Sequence, residues 1–230
     1  MCGSYAVPYF AKLSATRQLR VHDMPSGSPN FCPRSAEHRM IIPLNERHAH
    51  VNDPHVLSLT SLVGGLRARG LNVPNVDPND GGINASILFL FETPGPKAVD
   101  GFVSRDNPDP SARNFTKVCD QVGLERTKTA AWNVVPNCIS TADKSRNPSR
   151  SEIIAAVPDT QAFINQFVRL KAVIFCGNSA KIAMPYVDCH DAKMLATYHT
   201  GAQSYNRPLF RKDIVATFQK AHALLAPHVV

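Results

Sequence analysis

No apolar run in the 230 residues approaches the ~18 that a membrane span needs. The opening Met1-Cys2-Gly3-Ser4-Tyr5 also lacks the charged segment and apolar stretch of a secretory leader. The chain therefore reads as soluble and cytoplasmic, with no membrane partner. The six cysteines, Cys2, Cys32, Cys119, Cys138, Cys176 and Cys189, include no C-x-x-C pair. Metal and cluster sites draw ligands from such short spacings, so these read as reduced thiols, with no metal and no cofactor expected. There is no internal repeat and no linker that would divide the chain, so one domain is expected over residues 1–230. Acidic residues are in deficit, 18 against 25 Lys and Arg, which leaves a formal charge of +7. Such a surface attracts polyanions, and nucleic acid becomes a candidate partner. With 43% hydrophobic and 19% charged residues, a disordered chain is excluded.

Residues 1–80 are rich in Pro, Ser, His and Arg and read as a covering segment. One helix is expected there, from 54 to about 69, with Val56, Leu57, Leu59, Leu62, Val63 and Leu66 on its apolar face. Asp53 before Pro54 is its expected N-cap, and Gly70 its stop. Residues 75–84, full of Pro, Asp and Gly, predict a loop. From 85 onward, short apolar runs at 86–91, 129–135, 171–176 and 194–198 alternate with helical windows at 111–122, 149–169, 179–186 and 212–225. The first and third runs are apolar at nearly every position, as strands covered on both faces are. The expected fold class is α/β, a three-layer α/β/α sandwich around a central, mostly parallel four-stranded sheet.

In such sheets ligands bind beyond the carboxyl ends of the strands. The first run ends in Glu92-Thr93-Pro94-Gly95, the second carries Asn133, the third leads to Gly177-Asn178-Ser179, and the fourth to His199-Thr200-Gly201. A carboxylate can orient water, an amide can read a heterocycle edge, and an imidazole can stabilise a developing anion. Each alone has a structural alternative: a cap for Glu92, an Asx-turn for Asn133, a satisfied core histidine for His199. Three at the ends of three strands point to a working site.

These residues resemble the uracil-DNA glycosylase superfamily, particularly its family 4 branch. Phe91-Glu92-Thr93-Pro94-Gly95 is similar to the water-activating G-E-A-P-G motif, and Gly101-Phe102-Val103 to G-x-P-F-V-G. Trp132-Asn133-Val134-Val135 is similar to T-N-V-V, and Arg146-Asn147-Pro148 with Glu152-Ile153 to the N-R-x-P-x-x-x-E-I helix start. Val173 to Gly177 resembles V-x-x-L-G, and His199-Thr200-Gly201-Ala202 stands where the family has H-P-S-P. The resemblance runs in order over about residues 85–220. It departs at Phe91 for glycine, at Thr93 for alanine, and at Thr200 and Ala202 for the two prolines. Ala156 and the lack of paired cysteines depart from the branch's iron–sulfur ligands, which implies a cluster-free member.

The resemblance implies a monomeric DNA glycosylase of base excision repair that flips uracil out of single- or double-stranded DNA and hydrolyses its N-glycosidic bond, leaving an abasic site. Glu92 and His199 would be catalytic, with Phe102 stacking on the base, Asn133 reading its polar edge and Thr93 beside it. Phe115 is a rival for the stacking role. Pro94, Gly95, Arg105, Gly177, Asn178, Thr200, Gly201, Gln203 and Arg207 would meet the DNA. Residues 200–207, including Tyr205, would form a wedge loop whose polar tip favours single-stranded or mismatched sites. Lys97, Arg113, Lys144, Arg146, Arg150 and Arg211 are further candidates for phosphate contacts. The alternatives are a uracil-DNA binding protein of the same fold without turnover, and a thiol hydrolase using Cys176 or Cys138 with His199.

Overall fold

A computed structural model describes residues 41–95, 98, 101–140 and 146–226. The first half of the expected covering segment, residues 1–40, as well as Cys2, Cys32, Lys97 and Lys144, lie outside the described residues.

Four strands, β2 (Ile87–Phe91), β4 (Thr129–Asn133), β5 (Ala172–Cys176) and β6 (Lys193–Thr197), form one sheet in the order β4-β2-β5-β6. Every pairing is parallel, with Phe91 opposite Asn133, Ile87 opposite Ala172, and Cys176 opposite Thr197. Parallel neighbours need crossovers, and helices supply them. One face carries α1 (Leu57–Ala68), α3 (Arg150–Ala155), α4 (Val157–Ile164) and α5 (Asn178–Ala183), packed over Leu88, Leu90, Trp132, Val173 and Phe175. The other carries α2 (Pro110–Val122) and α7 (Pro208–Ala223), over Ile87, Phe89, Ala172, Ile174 and Cys176. Successive side chains of a strand point to opposite faces, so burial on both makes every position apolar. This is the expected three-layer α/β/α arrangement. β6, one of the two edge strands, has Lys193 and Ala196 exposed, and Lys193 blunts that edge. Among the described residues no helix is long and apolar enough to cross a membrane.

Boundaries differ where local chemistry intervenes. The first helix starts at Leu57, three residues later than expected. Asp53 is not its N-cap; the Val56 and Leu57 N–H groups instead close a turn on the Asp53 carbonyl, each at 2.9 Å. Gly70 stops the helix with φ 84°. The window 149–169 splits into α3 and α4, because Pro158 has no N–H and its ring would meet the carbonyl of Ile154. A capping box of Ser149 and Glu152 starts α3. The expected loop at 200–207 contains a short helix, α6 (Ala202–Tyr205), and the last helix begins at Pro208.

The largest departure is residues 75–84. Residues 77–81 are the expected loop and turn, but the segment is almost wholly buried. Asn75–Val76 forms β1, parallel to β3 (Phe102–Val103), and Gly82–Asn84 is a 3-10 turn. Asp77 and Asp80 lie inside because three arginines meet them. Arg126 donates through Nη2 to Asp77 (2.7 Å), through Nε to Asp80 (2.9 Å) and through Nη1 to Asp106 (2.8 Å). Arg47 reaches Asp77 at 3.1 Å and also pairs with Asp106, and Ser104 donates to Asp77. Arg105 Nε lies 3.7 Å from Asp80. Burial pushes the Asp80 carboxyl up to about 6, against the pull of Arg126 and Arg105. This clasp holds the 101–109 segment against the sheet, and that segment helps to build the site.

Candidate active site

Beyond the carboxyl edge of the sheet, residues after β2, β4 and β6 enclose a cavity of about 380 Å³, a size typical of small-ligand sites. It lies near the point where the chain reverses direction across the sheet, passing from β2 to β4 on one side and then from β4 over to β5 on the other side of β2. Glu92, Asn133 and His199 all line it. Phe91, Phe115 and Ala131 give it apolar walls.

Glu92 follows directly on β2, and Ser179 Oγ, in the first turn of α5, donates to its Oε2 at 2.9 Å. Asn133 ends β4, is 4% exposed, and its Oδ1 finds no hydrogen-bond partner among the described residues. An acceptor left so costs roughly 1–3 kcal/mol, which a ligand N–H or a bound water can recover. Thr93 is held by its hydroxyl on the Asn137 carbonyl, 2.8 Å away.

His199 has the most constrained seat. Its Nδ1 accepts the Gly201 N–H at 2.9 Å, so that nitrogen is bare and the hydrogen of the neutral ring sits on Nε2. Burial pushes the imidazole pKa down, against the opposing charges of Glu92 and Asp109. The ring meets Phe91 edge-on, with centroids 5.5 Å apart. Gly177 has φ 97°, and a Cβ there would lie 3.1 Å from His199 Cβ; a Cβ on Gly201 would lie 2.9 Å from Nδ1. Both glycines leave room for the imidazole.

No family model matches the chain, and no curated protein does. Among solved structures it is similar to mimivirus uracil-DNA glycosylase, with 10% identity, a TM-score of 0.40, and coverage of 73% of this chain and 72% of that one. A tyrosine-to-phenylalanine variant of mimivirus UNG in complex with UGI matches with 11% identity and a TM-score of 0.39, over 70% of each chain. The chemistry rests on the cavity itself.

Pro94, Gly95, Arg105 and Arg146 also line the cavity. Arg105, expected on DNA, is instead 7% exposed, donates to the Thr129 hydroxyl, and lies over the Phe115 ring at 5.1 Å. Its Nε lies 3.7 Å from Asp80. Arg146 is paired with Glu152 at 2.6 Å at the start of α3. Phe102 is fully buried in β3, against His48 with centroids 4.9 Å apart, and does not line the cavity. The pairing of β3 with β1 turns it inward. The aromatic walls fall to Phe115 and Phe91. Thr200 is another correction: fully buried, it bonds Ser111 Oγ (2.9 Å) and accepts from Asn114 Nδ2 (2.8 Å). Gly177 is buried and Gly201 partly exposed, both against the His199 side chain.

Asn178, Gln203 and Arg207 are exposed outside the cavity, as are Arg113, Arg150 and Arg211. Arg150 donates to the Tyr186 hydroxyl at 2.9 Å, Arg207 stacks over Phe210, and Arg211 over Tyr205. Cys176 is wholly buried under α2 and α7, with burial pushing its thiol pKa up, and Cys138 lies off this cavity. Neither thiol meets His199 across it. Asp109 was missed from sequence, and Ser179 was named after the third strand without a role. The signal for Asp109 was an Asp-Pro step before an apolar-periodic window, the same one read at Asp53-Pro54.

Proposed function

We propose that the protein is a DNA glycosylase that hydrolyses the N-glycosidic bond of uracil in DNA and leaves an abasic site. The observation that carries this reading is the His199 seat, an imidazole kept neutral by burial and fixed with its hydrogen on Nε2, in one cavity with Glu92 and the unpartnered Asn133. The resemblance of the motifs over residues 85–220 supports it independently.

Hydrolysis of a nucleoside leaves negative charge on the departing base and positive charge on the sugar. Asn133 reads the amide edge of the base, with its free acceptor taking a ring N–H. His199 donates Nε2–H to the base oxygen on which charge gathers as the bond breaks. One such preorganised donor is worth about 3 kcal/mol, or roughly a hundredfold in rate. Glu92, held by the Ser179 hydroxyl, lends its charge to the oxocarbenium-like sugar. Phe115 and Phe91 offer ring faces and edges to the base.

The test is release of uracil from single-stranded and duplex oligonucleotides carrying one uracil. Wild type is expected to release it, with Glu92→Ala, Asn133→Ala and His199→Ala each slower by about a hundredfold. Uracil-dependent binding with no release by wild type would instead favour the binding protein. Phe115→Leu is expected to raise KM severalfold, while Phe102→Leu leaves KM unchanged and lowers Tm. The reverse pattern would return the stacking role to Phe102.

A further inference from the structure

We infer that Asp109 is a second carboxylate of the active site, placed to take the proton of the attacking water; this rests on the glycosylase reading. Asp109 is the N-cap of α2, where Oδ1 accepts the Ala112 N–H at 3.0 Å and Pro110 takes the first helical position. Its Oδ2 makes no hydrogen bond among the described residues. Capping explains Oδ1 but does not ask for a charge, since Asn and Ser cap as well.

The first turn of α2 is pinned to the residue after His199. Ser111 Oγ bonds Thr200 Oγ1 at 2.9 Å, and Asn114 Nδ2 donates to the Thr200 carbonyl at 2.8 Å. Asp109, two residues before Ser111, is thereby fixed beside the imidazole and lines the same cavity as His199 and Glu92. The negative charges of Asp109 and Glu92 both act on the His199 ring. Among the described residues neither carboxylate has an ion pair, while Arg105 is drawn away to Asp80. Apolar walls strengthen uncompensated charge.

Two unneutralised carboxylates oppose the binding of a polyanion, so their use lies in the transition state, where the sugar is cationic. As the C1′–N bond breaks, its electron pair leaves with the base under the Nε2–H of His199. The water oxygen bonds to C1′ and its proton passes to Asp109. Asp109 then returns that proton to the base anion, so the water ends as hydroxyl on the sugar and hydrogen on the base. Glu92, already held by Ser179, is left to stabilise the cation.

The experiment compares Asp109→Asn, Asp109→Ser and Asp109→Ala with wild type, reading kcat and KM for uracil release from a single-stranded oligonucleotide, with Tm alongside. Asn and Ser keep the cap and lose the charge. The expected result is kcat down by about a hundredfold or more in both, with KM no higher than wild type because a charge that repels the polyanion is gone, Tm near wild type, and a lowered Tm in the Ala variant alone. Wild-type kcat in the Asn or Ser variant would reduce Asp109 to a cap and overturn the proposal, as would losses of kcat that only follow losses of Tm. If wild type releases no uracil at all, the glycosylase reading fails first and this role with it.

Discussion

Replacing Arg126 by methionine is expected to destabilise the protein by about 3–5 kcal/mol, the usual cost of stripping one partner from a buried ion network. Arg126 alone touches all three aspartates of the clasp, Asp77, Asp80 and Asp106, at 2.7 to 2.9 Å. Three arginines and three aspartates balance in charge; without Arg126 the cluster carries a net negative charge. Asp77 and Asp80 have 0% and 2% of their side-chain surface exposed, so water cannot take the place of the lost guanidinium. For a chain of this length that loss lowers Tm by roughly 10 °C, measurable by thermal or urea unfolding. Arg126→Lys is expected to restore little, because an ammonium cannot present the planar fork that three carboxylates share. The pair Arg69 and Asp159 is the milder case: Arg69 is 60% exposed, so Arg69→Ala should lower Tm by much less than Arg126→Met. An Arg126→Met variant that unfolds like wild type would show that the clasp adds nothing to stability.

The same clasp explains where sequence reading stopped short. β2 and β5 were legible because burial on both faces leaves an apolar residue at every position, β4 and β6 as short apolar runs between helical windows, and Glu92, Asn133 and His199 followed from their places at the strand ends. Residues 75–84 were not, because their composition is that of a solvated loop. What buries them is pairing with Arg47, Arg105 and Arg126, up to 49 residues away, and no local pattern announces a long-range ion network. Arg105 looked like a phosphate ligand for the same reason. The Asp-Pro signal was right in kind and misplaced in position: it fails at Asp53, where the chain first makes a turn, and holds at Asp109, where α2 begins. Phe102 illustrates a third limit, since only the pairing of β3 with β1 decides which way its ring points.

Gly201→Ala is expected to lower the rate of uracil release by about ten- to a hundredfold while changing Tm little. With φ −58° and ψ 154°, Gly201 has a backbone that alanine adopts freely, so conformation does not require glycine here. What requires it is His199: a Cβ would stand 2.9 Å from Nδ1 and 3.5 Å from Cε1. The imidazole must then shift, and a donor displaced by a fraction of an ångström to about one loses much of its hold on the developing charge. Gly177→Ala should do more, because φ of 97° adds backbone strain to the 3.1 Å approach to His199 Cβ, so both rate and Tm fall. The pH profile separates a displaced ring from a damaged fold. In wild type, burial holds the His199 pKa below its ordinary value of 6.5, so the neutral donor persists as pH drops through that value. The unfolded chain takes up a proton there and the folded one does not, so this histidine subtracts stability as pH falls through about 6.5. A ring pushed toward water in Gly201→Ala regains a more ordinary pKa, and the acid limb of kcat moves up toward 6.5. An unshifted limb with an unchanged rate would mean that the Gly201 N–H and the space beside it do not position His199.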